Sequence, residues 1–160
     1  MNKLWAPWRK AYILKHPASK CFICRIKASS QGTKNFILKR SRYSFAVLNI
    51  FPYNNGHVMV IPNQHVDGLE KLKDQELLDL LHLTNQMTAR IKKTMKPNGL
   101  NIGINLGRAA GAGVPGHVHI HIVPRWLGDT NFMPVIANTK VLSESLKSVY
   151  QRLKRSRSRR

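Results

Sequence analysis

The chain has 160 residues, enough for one domain that buries about 70% of its unfolded surface. Hydrophobic residues make up 42%, as in ordinary globular proteins, and no apolar run reaches the roughly 18 residues that span a bilayer, so no membrane partner is expected. The formal net charge is +20, which excludes an acidic, self-solvating chain and asks for an anionic partner such as a nucleotide, a nucleic acid or an acidic surface.

The start, Met1 to Trp8, has neither a long apolar core nor a small-residue cleavage site, and the cytoplasm is the expected compartment. Trp5 to Leu14 reads as a short helical entry. Cys21-Phe22-Ile23-Cys24 reads as a knuckle, whose spacing in a cytosolic chain suggests metal binding or redox chemistry before a structural disulfide. A polar loop follows at Ser29 to Lys34. Phe36 to Leu38 and Tyr43 to Ile50 read as strands about a turn at Arg40-Ser41-Arg42. Pro52-Tyr53-Asn54-Asn55-Gly56 is a turn, and His57 to Ile61 is β-rich up to Pro62.

A long helix is expected from Asp74, taken as its N-cap, to the stop at Pro97-Asn98-Gly99. Its core stripe reads Leu77, Leu81, Thr84, Thr88, Ile91 and Met95, spaced three and four apart. Leu100 to Leu106 and His117 to Val123 are further strands, and Leu142 to Leu153 is a final helix. The predicted class is α+β with an antiparallel sheet: one domain over residues 1–153 and a basic, frayed tail over 154–160. From Arg152 to Arg160 six residues are basic and none is acidic; non-specific nucleic-acid binding by this tail is the partner expected beside a small nucleotide.

His117-Val118-His119-Ile120-His121-Ile122-Val123 alternates strictly, so a strand would send Val118, Ile120 and Ile122 to one face and three imidazoles to the other. Neutral imidazole is a good nucleophile near neutral pH, and a neighbouring imidazole or carbonyl can protonate one ring nitrogen and free the other. The loop just before, Gly107 to Gly116, carries four glycines that let backbone amides approach a phosphate.

These residues carry a family resemblance. Asn105, Gly107, Gly111 and Val114 leading into the histidine run resemble the signature of the histidine triad family. Leu48-Asn49, Pro52, Gly56-His57-Val58-Met59-Val60-Ile61-Pro62 and His65 resemble its upstream block. Leu4-Trp5-Ala6-Pro7-Trp8-Arg9, Pro124-Arg125-Trp126 and Gly128-Asp129-Thr130-Asn131-Phe132 are similar to the branch containing diadenosine tetraphosphate phosphorylases. The resemblance implies a five-stranded antiparallel sheet with one long helix and shorter flanking helices, and a homodimer with a ten-stranded sheet. It implies that His119 is the nucleophile supported by His121, that Asn49 meets the ribose, and that Asn105, Gly111 and Gly113 lie at the phosphates. Ala112 and Gly113 stand where family members often carry Gln, then Ser or Thr, so phosphate would have to be met by backbone amides, Arg108 or Arg125.

The resemblance further suggests that His65 and His117 join Cys21 and Cys24 in a closed, structural Zn²⁺ site, with His57 as the other candidate ligand. His16 and His82 read as surface residues. The function implied is a nucleotidyl transferase or hydrolase acting on dinucleoside polyphosphates, diadenosine tetraphosphate foremost. A purine nucleoside phosphoramidase and a non-catalytic nucleotide- or nucleic-acid-binding module are the alternatives.

Overall fold

A computed structural model describes residues 21–130, 136 and 142–155; the helical entry read at Trp5 to Leu14 and the end of the basic tail lie outside the described residues. In chain order the elements are α1 (Phe22–Ala28), β1 (Ile37–Arg40), β2 (Ser44–Leu48), β3 (Val58–Pro62), a short 3-10 turn (Leu69–Lys71), α2 (Asp74–Met95), β4 (Gly99–Ile104), β5 (Ile120–Arg125) and α3 (Leu146–Arg155). The five strands form one sheet in the order β1-β2-β3-β5-β4, antiparallel throughout. The α+β class, the five-stranded sheet and the long helix are as the sequence reading expects.

Strand alternation gives the sheet two faces. Ala46, Leu48, Val58, Val60, Ile120 and Ile122 face α2 and α3, where they meet Leu80, Leu83, Met87, Ile91, Met95, Val149, Tyr150 and Leu153. Phe45, Val47 and Ile61 face the other way and are covered by Ile23 and Ile26 of α1. The histidines belong to this second face.

The stripe read on α2 holds at Thr84, Ile91 and Met95 and moves by one position at Leu81 and Thr88, to Leu80 and Met87. Leu80, Leu83, Thr84, Met87, Ile91 and Met95 are buried, whereas Leu81 is 48% exposed. Leu77-Leu78 and Leu80-Leu81 are apolar pairs, so two neighbouring stripes both satisfy helical spacing, and only packing against the sheet selects between them. Asp74 is the first helical residue rather than the cap; the Glu76 carboxylate accepts the Lys73 amide at 3.0 Å instead. The last helix begins four residues later than expected because Ser145 caps it, its hydroxyl accepting the Ser148 amide at 3.2 Å. It runs through Lys154 and Arg155, and Lys154 Nζ donates to the Ile37 and Leu38 carbonyls of β1 at 3.2 and 3.0 Å.

The histidine strand is also shifted. β5 starts at Ile120, not His117, and continues through Pro124 to Arg125. The Val118 amide leaves the ladder to donate to the Val66 carbonyl at 2.7 Å, and the His117 amide turns back to Val114 at 3.2 Å. Before β3, Gly56 takes φ +74°, and a Cβ there would collide with the Met95 thioether and lie 3.3 Å from Pro124 Cγ. Only glycine lets the turn that delivers His57 pack so closely. At the far edge, among the described residues, β4 pairs with β5 alone, with Ile102 in it and Leu106 just after it about half exposed.

Candidate active site

Cys21 precedes α1, Cys24 sits in its first turn, His65 follows β3 and His117 ends the glycine-rich loop. The fold brings one ligand atom from each within 4.8 Å of the others. His65 Nδ1 and His117 Nδ1 are 3.2 Å apart, Cys24 Sγ is 3.4 Å from His65 Nδ1 and 3.6 Å from His117 Nδ1, and Cys21 Sγ is 3.5 Å from His117 Nδ1. His117 Nε2 donates to the Pro62 carbonyl at 3.0 Å, which leaves the Nδ1 lone pair directed into the cluster. Burial holds His117 at about 4, hence neutral, and burial beside Cys21 raises the Cys24 thiol. Two sulfurs and two imidazole nitrogens converging on one point can hold a metal ion. His57 is not among them, which removes it as the alternative ligand.

His119 and His121 lie side by side, ring centroids 4.7 Å apart, buried to 5% and 7% exposure. His119 Nδ1 donates to the His117 carbonyl at 2.8 Å. That bond places the ring proton on Nδ1 and leaves Nε2 with a free lone pair. Burial lowers the pKa of His119, partly offset by the same carbonyl, so the ring is neutral near pH 7.

His57 supplies a second chain of contacts. The Tyr53 amide donates to His57 Nδ1 at 3.1 Å, so the His57 proton sits on Nε2. Nε2 then donates to His121 Nδ1 at 2.9 Å, which puts the His121 proton on its own Nε2. His121 Nε2 is buried and has no hydrogen-bond partner among the described residues. A buried N–H left open beside a free ring lone pair can donate to an oxygen of a bound molecule.

Asn49, read as a ribose residue, is 9% exposed and engaged at both ends: Oδ1 accepts the Phe51 amide at 3.0 Å, and Nδ2 approaches His57 Nδ1 at 3.2 Å. In the glycine-rich loop Gly111 takes φ +88°, and a Cβ there would lie 3.7 Å from Asn105 Nδ2. The Gly111 and Ala112 amides donate to the Arg108 and Gly107 carbonyls at 3.0 and 3.2 Å, so these two amides hold the loop's own turn. Asn105 and Gly113 adjoin that turn in the chain.

Two functional groups escape the sequence reading. The sequence offers His57 only as the other candidate metal ligand and as part of the upstream block; its pairing with His121 across 64 residues is set by the β3–β5 register, with Met59 opposite His121. The second is Asp129, whose carboxylate accepts Asn54 Nδ2 at 2.7 Å, Arg125 Nε at 2.7 Å and Nη2 at 3.0 Å, and the Trp126 amide at 3.1 Å. It ties the turn carrying Tyr53 and His57 to the end of β5. The Gly128-Asp129 block was noticed as a motif without a role.

Burial lowers His57 to about 3 and His121 to about 4, each depressed further by its histidine neighbours. In the unfolded chain both titrate near 6.5, so on acidification the unfolded state takes up protons first. Their contribution to stability is complete above about pH 6.5 and is lost as pH falls towards about 4 and then about 3. The melting temperature should therefore decline steadily from pH 6.5 to 4. His57→Gln should decline less steeply, which separates the histidine pair from any loss of metal; identical slopes would refute the assignment.

Residues 30–126 match the HIT domain family. The chain is 35% identical over 155 residues to an AP-4-A phosphorylase of Mycobacterium tuberculosis, covering 92% of this chain and 80% of that one. It is 40% identical over 93 residues to the asymmetrical bis(5'-nucleosyl)-tetraphosphatase of Schizosaccharomyces pombe, covering 58% of this chain and 50% of that one. The crystal structure of a histidine triad nucleotide-binding protein from Sulfolobus tokodaii superposes with a TM-score of 0.65 at 28% identity, over 84% of this chain and 87% of that one. Matched across all five strands and the histidine run, the chain belongs to the HIT domain family, the histidine triad proteins.

Proposed function

We propose that the protein cleaves dinucleoside polyphosphates, diadenosine tetraphosphate first, by passing a nucleotidyl group through His119. The observation that carries this reading is the His119 ring, pinned by the His117 carbonyl so that a neutral Nε2 lone pair is free. Nε2 attacks the α-phosphorus; the new N–P bond forms as the P–O bond to the remaining polyphosphate breaks. The leaving polyphosphate departs as an anion and needs no proton. His121 Nε2–H donates to an oxygen gaining charge, with His57 holding it in the required tautomer. Asn105 and Gly113 flank the phosphates, and the second lone pair of Asn49 Oδ1 meets a ribose hydroxyl.

Inorganic phosphate is the acceptor this site suits better than water. Water needs a base to take its proton, and His57 and His121, held at about 3 and about 4, are weak bases. Phosphate arrives already carrying a nucleophilic oxygen. With diadenosine tetraphosphate, ADP should form only when phosphate is present, beside ATP. ATP and AMP without phosphate would mean asymmetric hydrolysis, turnover of adenosine phosphoramidates alone would mean the phosphoramidase, and no turnover would leave a binding module. His119→Ala should lower kcat by on the order of 10³-fold or more with substrate binding largely kept; a substantial fraction of wild-type kcat would remove the nucleophile assignment.

We infer that the Cys21, Cys24, His65 and His117 cluster holds a structural Zn²⁺. Zn–N bonds of about 2.0–2.1 Å and Zn–S bonds of about 2.3 Å give tetrahedral edges of about 3.3–3.4 Å between nitrogens and about 3.5–3.6 Å between nitrogen and sulfur. The observed 3.2 Å and 3.4–3.6 Å separations fit. Four protein ligands leave no position for water, so the ion would serve the fold. Elemental analysis of reduced, chelator-free protein should find about one zinc per chain. Cys24→Ser should lower the melting temperature more than it lowers kcat; metal-free wild type would overturn the site.

We propose a homodimer built along the free edge of β4, extending the sheet to ten strands. The support is an edge that no other described strand pairs with, carrying the half-exposed Ile102 and followed by the half-exposed Leu106. Sedimentation should give twice the chain mass of 18.3 kDa, and a single-chain mass at micromolar protein would overturn the pairing.

A further inference from the structure

The Gly128-Asp129-Thr130 block and the turn at Tyr53-Asn54, 70 residues apart, meet on the histidine face. Between them lies a hollow of about 280 Å³ lined by Tyr53, Asn54, Asn101, Val123, Arg125 and Thr130. Its position follows from the register of the sheet. His121, Val123 and Arg125 alternate onto one face, and their partners on β4 are Gly103, Asn101 and Gly99. At about 3.4 Å per residue, Val123 lies about 7 Å from His121 and about 14 Å from His119 along the strand. Among the described residues the path between is open: Gly103 stands opposite His121, and a Cβ there would meet none of them within 4 Å.

The lining is unusually neutral for so basic a chain. Arg125 gives Nε and Nη2 to the Asp129 carboxylate and Nη1 to Asn101 Oδ1 at 2.9 Å. Its charge is matched, and its geometry is fixed from two sides. Asn54, only 5% exposed, is held by Asp129 and by the Pro124 carbonyl at 3.0 Å. Tyr53 is 50% exposed, with its ring centroid 4.5 Å from that of His57 and 5.5 Å from that of His121. The hollow therefore offers an aromatic ring, amides and a hydroxyl, without net charge. Such walls suit a planar, uncharged heterocycle and its sugar rather than a terminal phosphate.

We propose that this hollow binds the nucleoside at the far end of the departing polyphosphate, so that the enzyme prefers substrates bearing two nucleosides. The inference rests on the dinucleoside polyphosphate reading above and adds the residues that would select for it. Tyr53 stacks on the distal base, while Asn101 and Thr130 present polar groups to it. Arg125 and Asp129 act as positioning residues that hold the walls. The Tyr53 ring also borders the histidine pair, so a filled hollow would close the side of the site that the departing group vacates last.

The test compares diadenosine tetraphosphate with adenosine 5'-tetraphosphate, which has the same phosphate chain and lacks the second nucleoside. Wild-type kcat/KM should favour the dinucleotide by roughly tenfold or more, the scale of one base stacked on an aromatic ring. Thr130→Trp, which fills the hollow, should erase that preference, lowering kcat/KM for the dinucleotide by roughly tenfold relative to that for the mononucleotide. Asn101→Ala should reduce the preference in the same direction, and it decides the matter if Thr130→Trp fails to fold. Equal wild-type rates on both substrates, or variants that lose both activities in proportion, would overturn the hollow while leaving nucleotidyl transfer intact. A wild type that turns over neither substrate would overturn nucleotidyl transfer, and this inference with it.

Discussion

His117 is held at three points, and the tautomer of His119 two residues further on depends on them. Its Nδ1 enters the cysteine and histidine cluster, its Nε2 donates to the Pro62 carbonyl, and its own carbonyl receives His119 Nδ1. The neighbouring Val118 amide is drawn out of the sheet to Val66. A carbonyl so constrained is a fixed acceptor, and a fixed acceptor fixes a tautomer. The cluster thus bears on His119 without touching it: α1, which carries Cys24, is fastened to the backbone that decides which nitrogen of His119 is free.

The second histidine answers to a different part of the chain. His121 takes its tautomer from His57, and His57 takes its own from the Tyr53 amide. That turn is in turn anchored by Asn54 to Asp129, beyond the end of β5. One histidine therefore presents a lone pair and its neighbour presents a proton, although the two are chemically identical and equally buried. Opposite roles arise because opposite hydrogen-bond chains reach them from opposite ends of the strand.

The sequence reading is strongest where a pattern is local. Period-two alternation reads the imidazoles onto one face, the Cys-x-x-Cys spacing singles out Cys21 and Cys24, and the family resemblance adds His65 and His117, which the fold does bring together with them. It is weakest where packing chooses between equivalent patterns. The α2 stripe is the plain case, since adjacent leucine pairs leave two registers equally apolar. The start of β5 is another, because nothing local announces that the Val118 amide will prefer Val66. His57 was misassigned as a possible ligand for the same reason: its role is set by a partner strand, and imidazole chemistry serves a metal and a proton chain equally well.

Charge and burial divide the labour of attracting and attacking an anion. The proposed nucleophile must be neutral, and burial keeps these rings neutral by lowering their proton affinity. Neutral rings cannot draw a polyphosphate from solution. The chain has seven acidic residues against 27 lysines and arginines, and five of the seven fall between Asp67 and Asp79. Of those five, Asp79 is spent on Ser41 and Ser44, and Asp67 on Lys71. Asp129 and Glu144, the remaining two, pair with Arg125 and Arg152. The uncompensated positive charge is spread over the rest of the molecule, where it can raise the local concentration of an anionic substrate without placing a formal charge on the reacting imidazole. A site that carried its own fixed cations would bind the ground state and the departing product alike. On the proposed reading, a neutral site inside a positive molecule gathers anionic substrate broadly and leaves the chemical step to the two oriented ring nitrogens.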